Sequence, residues 1–264
     1  MEIKTTFFKK RNKKLALLLT GFPHYYDKTF PKLIDILLNQ NFDVDVYLSS
    51  WSKYEDNFNP HQLFDNKNIN KKIIQTDIEN IKSFYGKYLK NYHFIDYDNY
   101  FENKEVTKLN NNEDLISDVF VSNNKEQNII ASLFWKERLK DQWYCVRQGW
   151  NLIDPYQNEY DIVMKTRFDI YYSNLFIQEK SEKLFFLASD VQGRSNELAD
   201  YMWYGNPSSV KKCCSMYDYI EEMYYKDNQN IALAEPMLTF YLKKINIKNV
   251  IDKNIKYERL TKKV

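Results

Sequence analysis

Leu15-Ala16-Leu17-Leu18-Leu19-Thr20 is a continuous apolar run that stops at Gly21. A run this short, with no polar residue inside it, reads as a parallel strand covered on both faces. A helical pattern follows through Leu33, Ile34, Leu37 and Leu38, with Thr29 placed as its N-cap and Pro31 in its first turn. Val44, Val46 and Leu48 then alternate with Asp45 and Tyr47 and lead into Ser49-Ser50-Trp51. Strand, helix, strand is how an α/β sheet opens. The expected fold class is α/β, with a Rossmann-type mixed central sheet flanked by helices.

Outward from that opening, Ser52 to Glu126 is dominated by Asn, Asp, Lys and Tyr, and predicts short helices with a strand near Tyr92 to Tyr97. A long helix is expected from Gln127. Along it Leu139, Trp143, Val146, Trp150 and Ile153 recur at spacings of four, three, four and three, forming one apolar stripe that belongs to the core. Gln142, Tyr144 and Arg147 lie off that stripe, where they can face a cleft. Asp161 to Thr166 reads as a strand that runs into Arg167-Phe168-Asp169. Leu184 to Ala188 reads as another strand, Asp190 to Glu197 as a polar loop around Gly193, and Asp200 to Gly205 as an aromatic strand. A helix starts at Pro207, another spans Pro236 to Lys243, and a last strand is expected near Ile247 to Ile251. With five glycines, six prolines, no repeat and no linker composition, one domain over 1–264 is the simplest reading.

Composition narrows the function. Hydrophobic residues make up 44% of the 264 and aromatic residues 17%, with 22 Tyr and 17 Phe. So many rings leave some to line a cleft, where a flat apolar face stacks on a sugar or a base; a codon bias toward Tyr, Asn, Lys and Ile gives the same count. A net charge of +2 argues against a dedicated nucleic-acid binder. Lys4, Lys9, Lys10, Arg11, Lys13 and Lys14 cluster before the first apolar run, over and just past a basic N-terminal tail, 1–13; the cluster reads as a solvated run, with contact to phosphates or an anionic membrane surface as the other reading. Cys145, Cys213 and Cys214 make no disulfide framework and no zinc spacing, and His24, His61 and His93 make no ligand set. No apolar stretch is as long as a bilayer span and none resembles a signal peptide, so a cytoplasmic protein without a transmembrane segment is expected.

Lys165-Thr166-Arg167-Phe168-Asp169 is the sharpest chemical feature. A buried strand ending in charge delivers those side chains to its C-terminal edge, where open α/β sheets bind ligands. There an Asp can hold a divalent cation and an Arg can fork onto phosphate oxygens. An Arg–Asp ion pair closing a strand end is the other reading of the same residues.

The segment Gln142-Trp143-Tyr144-Cys145-Val146-Arg147, followed by Glu159-Tyr160-Asp161-Ile162-Val163-Met164-Lys165-Thr166-Arg167-Phe168-Asp169, resembles a family of GT-A-like glycosyltransferases from capsule and surface-polysaccharide clusters and large DNA viruses. Asp45 to Trp51 is similar to that family's second strand. Asp200 to Pro207 and Glu235 to Leu242 resemble two of its later segments. The matches run in order over most of the chain.

The resemblance implies a transferase that moves a sugar from a nucleotide-sugar donor, a UDP- or GDP-sugar, onto an oligosaccharide or other glycan acceptor. It implies a nucleotide-binding half over about 14–125 and a metal and acceptor half over about 126–264. Thr20, Gly21, Phe22, Ser50, Trp51, Arg147 and Arg167 become the expected donor-binding residues. Asp169 becomes the expected ligand of a Mn2+ or Mg2+ cofactor, although Arg167 stands where the family's DxD motif has its first carboxylate. His24 and Tyr25 stand where many members carry an Arg. Trp51 can stack on the base or pack as core. For an inverting transfer a carboxylate must take the acceptor hydroxyl's proton. Asp200 is the first candidate and Glu235 the second, Glu235 also suiting a helix N-terminus. A GT-A-fold protein that binds nucleotide or carbohydrate without catalysis is the alternative. No nucleic-acid partner is expected.

Overall fold

The computed structural model describes residues 12–56, 72–103, 125–178, 182–188, 198–225 and 234–260, with backbone alone at 55–56, 72, 125–135 and 225. Tail residues 1–11 and the loop expected at Asp190 to Glu197 lie outside the described residues. In chain order the elements begin with β1 (Lys13–Thr20), α1 (Tyr26–Asn39), β2 (Phe42–Trp51), β3 (Lys53–Asp56), β4 (Lys72–Gln75), α2 (Ile78–Tyr85), β5 (Leu89–Ile95) and α3 (Tyr97–Asn103). The long helix α4 (Lys125–Ile153) leads to β6 (Ile162–Arg167), β7 (Ile170–Asn174), β8 (Leu184–Ala188) and β9 (Leu198–Gly205). The chain continues through α5 (Pro207–Cys214), α6 (Ile220–Tyr225), α7 (Ala234–Lys244), β10 (Asn249–Ile251) and β11 (Lys256–Arg259).

Seven strands form one sheet in the order β5-β2-β1-β6-β9-β8-β10. All are parallel to one another except β9, which runs against its two neighbours β6 and β8. This is the expected mixed α/β sheet flanked by helices. Its centre is β1, where Leu15 to Leu18 are fully buried because both faces are covered. Leu15, Leu17 and Leu19 join the core shared with Phe30, Leu33 and Leu37 of α1. Ala16 and Leu18 point the other way, into a core shared with Trp143, Val146 and Trp150 of α4 and with α5, α6 and α7. The stripe read from sequence on α4 is that second core's main contribution. At Gly149 a Cβ would lie 2.7 Å from Leu18 Cδ1 and 3.0 Å from Ser49 Cβ, so α4 crosses β1 and β2 closely and a side chain there would have to displace Leu18.

Three details differ from the sequence reading. Helix α1 begins at Tyr26, not at Thr29, because the Tyr25 carbonyl accepts the first helical bond, from Thr29 N at 3.0 Å. Tyr25 takes the left-handed conformation at φ 60°. Thr29 instead donates its hydroxyl to the carbonyl of Phe168, 2.7 Å away. Tyr97 starts α3 and does not extend β5. The two small sheets, β3 with β4 and β7 with β11, were not expected; their strands are four or five residues long and carry too little alternation to read.

Candidate functional site

From β1 the chain passes through α1 to β2 on one side of the sheet; β6, on β1's other side, follows α4, which packs on the opposite face. Strand order therefore reverses between β1 and β6. A crevice opens at the carboxyl ends of the strands at such a point, and ligands bind there. The residues facing each other at that edge are Thr20 and Arg167, with Ser49 on β1's other flank.

Gly21 follows Thr20 with φ 100°, a conformation that disfavours any side chain, and nothing lies within 4 Å of where a Cβ would point. Ser50 donates its hydroxyl to the Gly21 carbonyl at 2.8 Å, which ties the end of β2 to this turn. Phe22 is half-buried, 5.7 Å from the Tyr54 ring. Trp51 takes the core role: it is buried, with its ring 4.9 Å from that of Tyr100.

Arg167 and Asp169 emerge together, as expected. The guanidinium donates Nε to Asp169 Oδ1 at 2.9 Å and Nη2 to Oδ2 at 2.7 Å, a closed bidentate fork. Burial works against the guanidinium's charge, and Asp169 more than offsets that, so the Arg167 pKa moves up. The turn carrying the pair is held from three sides: by Thr29 on Phe168, by the Leu260 amide on the Asp169 carbonyl at 2.8 Å, and by β11 pairing with β7. Through β11 comes Arg259, which sequence reading did not single out. Its guanidinium carbon and that of Arg167 each lie 5.4 Å from the Tyr201 ring centroid, so one tyrosine contacts both arginines. Arg259 also donates to the Tyr201 hydroxyl at 3.1 Å.

One strand further in, Asp200 is buried and its carboxylate accepts from the Gln142 amide of α4. Lys165 of β6 is also buried, with Nζ donating to the Asp200 carbonyl at 2.8 Å and lying 4.2 Å from the Trp203 ring centroid. Burial pulls its ammonium down to about 8, with Asp200 acting in the opposite direction.

The remaining expected residues fall elsewhere. Arg147 pairs with Asp218 of the 3-10 segment Ser215–Tyr219, Nε to Oδ2 at 3.2 Å, and is not brought to Arg167. Glu235 sits in the first turn of α7, where a carboxylate meets the positive end of the helix dipole. For a divalent cation, both oxygens of Asp169 are engaged by Arg167. Among the described residues no group of three or more His, Cys, Asp or Glu could hold a metal ion. As arranged, these residues do not fit a Mn2+ or Mg2+ site. No helix among them is long and apolar enough to cross a membrane.

A cleft of about 550 Å³ opens beside this edge, past the end of β5. It lies between α3, α4 and the start of α6, and Tyr100, Tyr144 and Tyr217 line it together with Asp96, Asn99 and Glu221.

No protein-family model matches the sequence, and no curated protein matches it. Among solved structures, the apo-form glycosyltransferase GlyE of Streptococcus pneumoniae TIGR4 is similar over 92% of this chain and 46% of that one, at 10% identity and a TM-score of 0.42. The chain thus spans about half the length of that protein. A likeness so loose bears on neither site nor activity.

Proposed function

We propose that this chain is a GT-A-like glycosyltransferase that moves a sugar from a nucleotide-sugar donor to a glycan acceptor. The observation that carries the reading is the meeting of Thr20 and Arg167 across the point where strand order reverses, with Gly21 bare beside them. A diphosphate needs close backbone approach and fixed positive charge. Gly21 offers the first; Arg167 and Arg259, both beside Tyr201, offer the second. Asp200 is the base that takes the acceptor hydroxyl's proton, held in one orientation by Gln142. The two arginines offset the charge of the departing nucleoside diphosphate. A cytoplasmic setting and a role in viral or capsular glycan synthesis belong to the same proposal.

Calorimetric titration with UDP- and GDP-sugars, with and without Mn2+ or Mg2+, tests it. Binding that Arg167→Ala removes supports the reading; no nucleotide binding under either condition defeats it. The closed Arg167–Asp169 fork favours one other reading, a GT-A-fold protein that binds nucleotide or carbohydrate without turnover. Release of free sugar from a bound donor rejects that second reading.

A further inference from the structure

The cleft past β5 has its own chemistry, separate from the arginines. Its rings form a ladder that starts in the core: Trp51 lies 4.9 Å from Tyr100, Tyr100 4.6 Å from Tyr144, and Tyr144 5.2 Å from Tyr217. The foot of the ladder is buried, while Tyr100, Tyr144 and Tyr217 are half-buried. Tyr100 is locked further by its hydroxyl, which donates to the Asp141 carboxylate at 3.1 Å. Rings fixed in this way lose little freedom on binding. Around them stand Asp96, Asn99, Asn103 and Glu221, groups that donate to and accept from hydroxyls.

Charge decides among ligands. The lining contains two carboxylates, Asp96 and Glu221, one lysine, Lys140, already within 2.9 Å of Glu221, and His93, whose pKa is lowered by burial, which keeps it toward its neutral form. A phosphate would meet net repulsion here, whereas an uncharged polyol would not. Ring faces combined with carboxylates and amides, without spare positive charge, fit a pyranose: its apolar C–H face stacks and its hydroxyls are held at the edge.

We infer that this cleft is a binding site for a neutral saccharide, distinct from the donor site. Naming that saccharide as part of the acceptor rests on the proposed transferase; the binding itself does not.

Saturation-transfer NMR on the full chain, with lactose, maltose, cellobiose and N,N′-diacetylchitobiose as neutral probes, sialyllactose as an anionic probe and UDP as a nucleotide probe, tests the inference. At least one neutral disaccharide is expected to bind, and sialyllactose more weakly than lactose. Tyr217→Ala is expected to lower affinity about tenfold, the scale of one ring contact. Because that change also removes a packing contact, Asn99→Trp is the companion: it fills the cleft from an exposed helix position and is expected to abolish saccharide binding in a folded protein. Binding by no neutral probe, binding unaltered by Asn99→Trp, or displacement of the saccharide by UDP overturns the inference. Nucleotide binding without saccharide binding sinks this site alone; saccharide binding without nucleotide binding sinks the donor reading alone.

Discussion

Two acid–base pairs stand at the same sheet edge and are built in opposite ways. Arg167 and Asp169 share a complete fork at the rim, with 32% of the arginine side chain exposed. Lys165 and Asp200 are buried beneath it, and there the lysine bonds to the aspartate's backbone while the carboxylate goes to Gln142. The rim pair is satisfied by a partner that a diphosphate can replace, because phosphate oxygens suit the same guanidinium fork. The inner pair has no exchangeable partner: moving Lys165 would strand a buried ammonium and a buried carbonyl. The rim pair is therefore suited to trading partners with a ligand, and Lys165 to holding β6 and β9 in register beneath it while the Asp200 carboxylate stays available for chemistry.

The largest effect is expected at Asp200. Asp200→Asn keeps the size of the side chain and leaves an oxygen for Gln142 to bond. If Asp200 takes the acceptor's proton, turnover falls by about 10² to 10⁴ while donor binding stays near wild type. Measured kcat and donor Kd separate the two. A loss confined to thermal stability would make Asp200 a brace like Lys165 and move the base elsewhere, with Glu235 the next residue to test.

Lys165 should show the reverse pattern. Lys165→Ala removes the donor to the Asp200 carbonyl and opens a cavity beneath Trp203, which is expected to cost about 3 kcal/mol in chemical denaturation. Lys165→Met keeps most of the volume and should cost roughly half of that. Equal losses from the two would mean that the hydrogen bonds of Lys165, not its bulk, carry its contribution.

The same contrast explains what could be read from the sequence. β1, β2, β6 and the stripe on α4 were legible because residues such as Leu17 and Trp150 are buried by pattern, and pattern needs no partner to be seen. The emergence of Arg167 and Asp169 at a strand end was legible too. Their closure on each other was one of two readings, because a two-residue spacing fits a shared ligand as well as a mutual fork. Arg259 was invisible because it reaches the site through β11, a four-residue strand whose pairing with β7 spans most of a hundred residues of chain. The placement of Thr29 failed for a related reason. A hydroxyl near a helix start signals a cap, and nothing local shows that a carbonyl at Phe168 is the better acceptor.

At the rim, the effects should be smaller and purely functional. Arg167→Lys keeps the charge but loses the fork, and is expected to weaken nucleotide-sugar binding about tenfold with little change in stability. Arg259→Ala should weaken it about fivefold, since Arg259 approaches from an exposed strand whose charge water partly screens. Asp169→Asn sharpens the point. Freed from its anionic partner, Arg167 should bind UDP more tightly in the absence of metal, by calorimetry. If Asp169→Asn instead abolishes binding in Mn2+ and does nothing without it, the carboxylate serves a cation and the fork opens on binding.

A last test is in pH, and it isolates Lys165. Burial lowers the Lys165 ammonium from 10.5 to about 8 in the folded chain. Between those values the unfolded chain holds a proton that the folded chain has released, so stability rises with pH across that window. Below about 8 both states are protonated, and the cost of burying the charge is present in full. Lys136, likewise lowered to about 8 by burial, contributes in the same direction, so the wild type alone is ambiguous. The difference in unfolding free energy between wild type and Lys165→Met removes Lys136 from the comparison. That difference should shift in favour of wild type as pH is raised from 8 toward 10. A flat difference would mean that water reaches Lys165 in the folded protein, and the contrast between a sealed inner pair and an exchangeable rim pair would be lost.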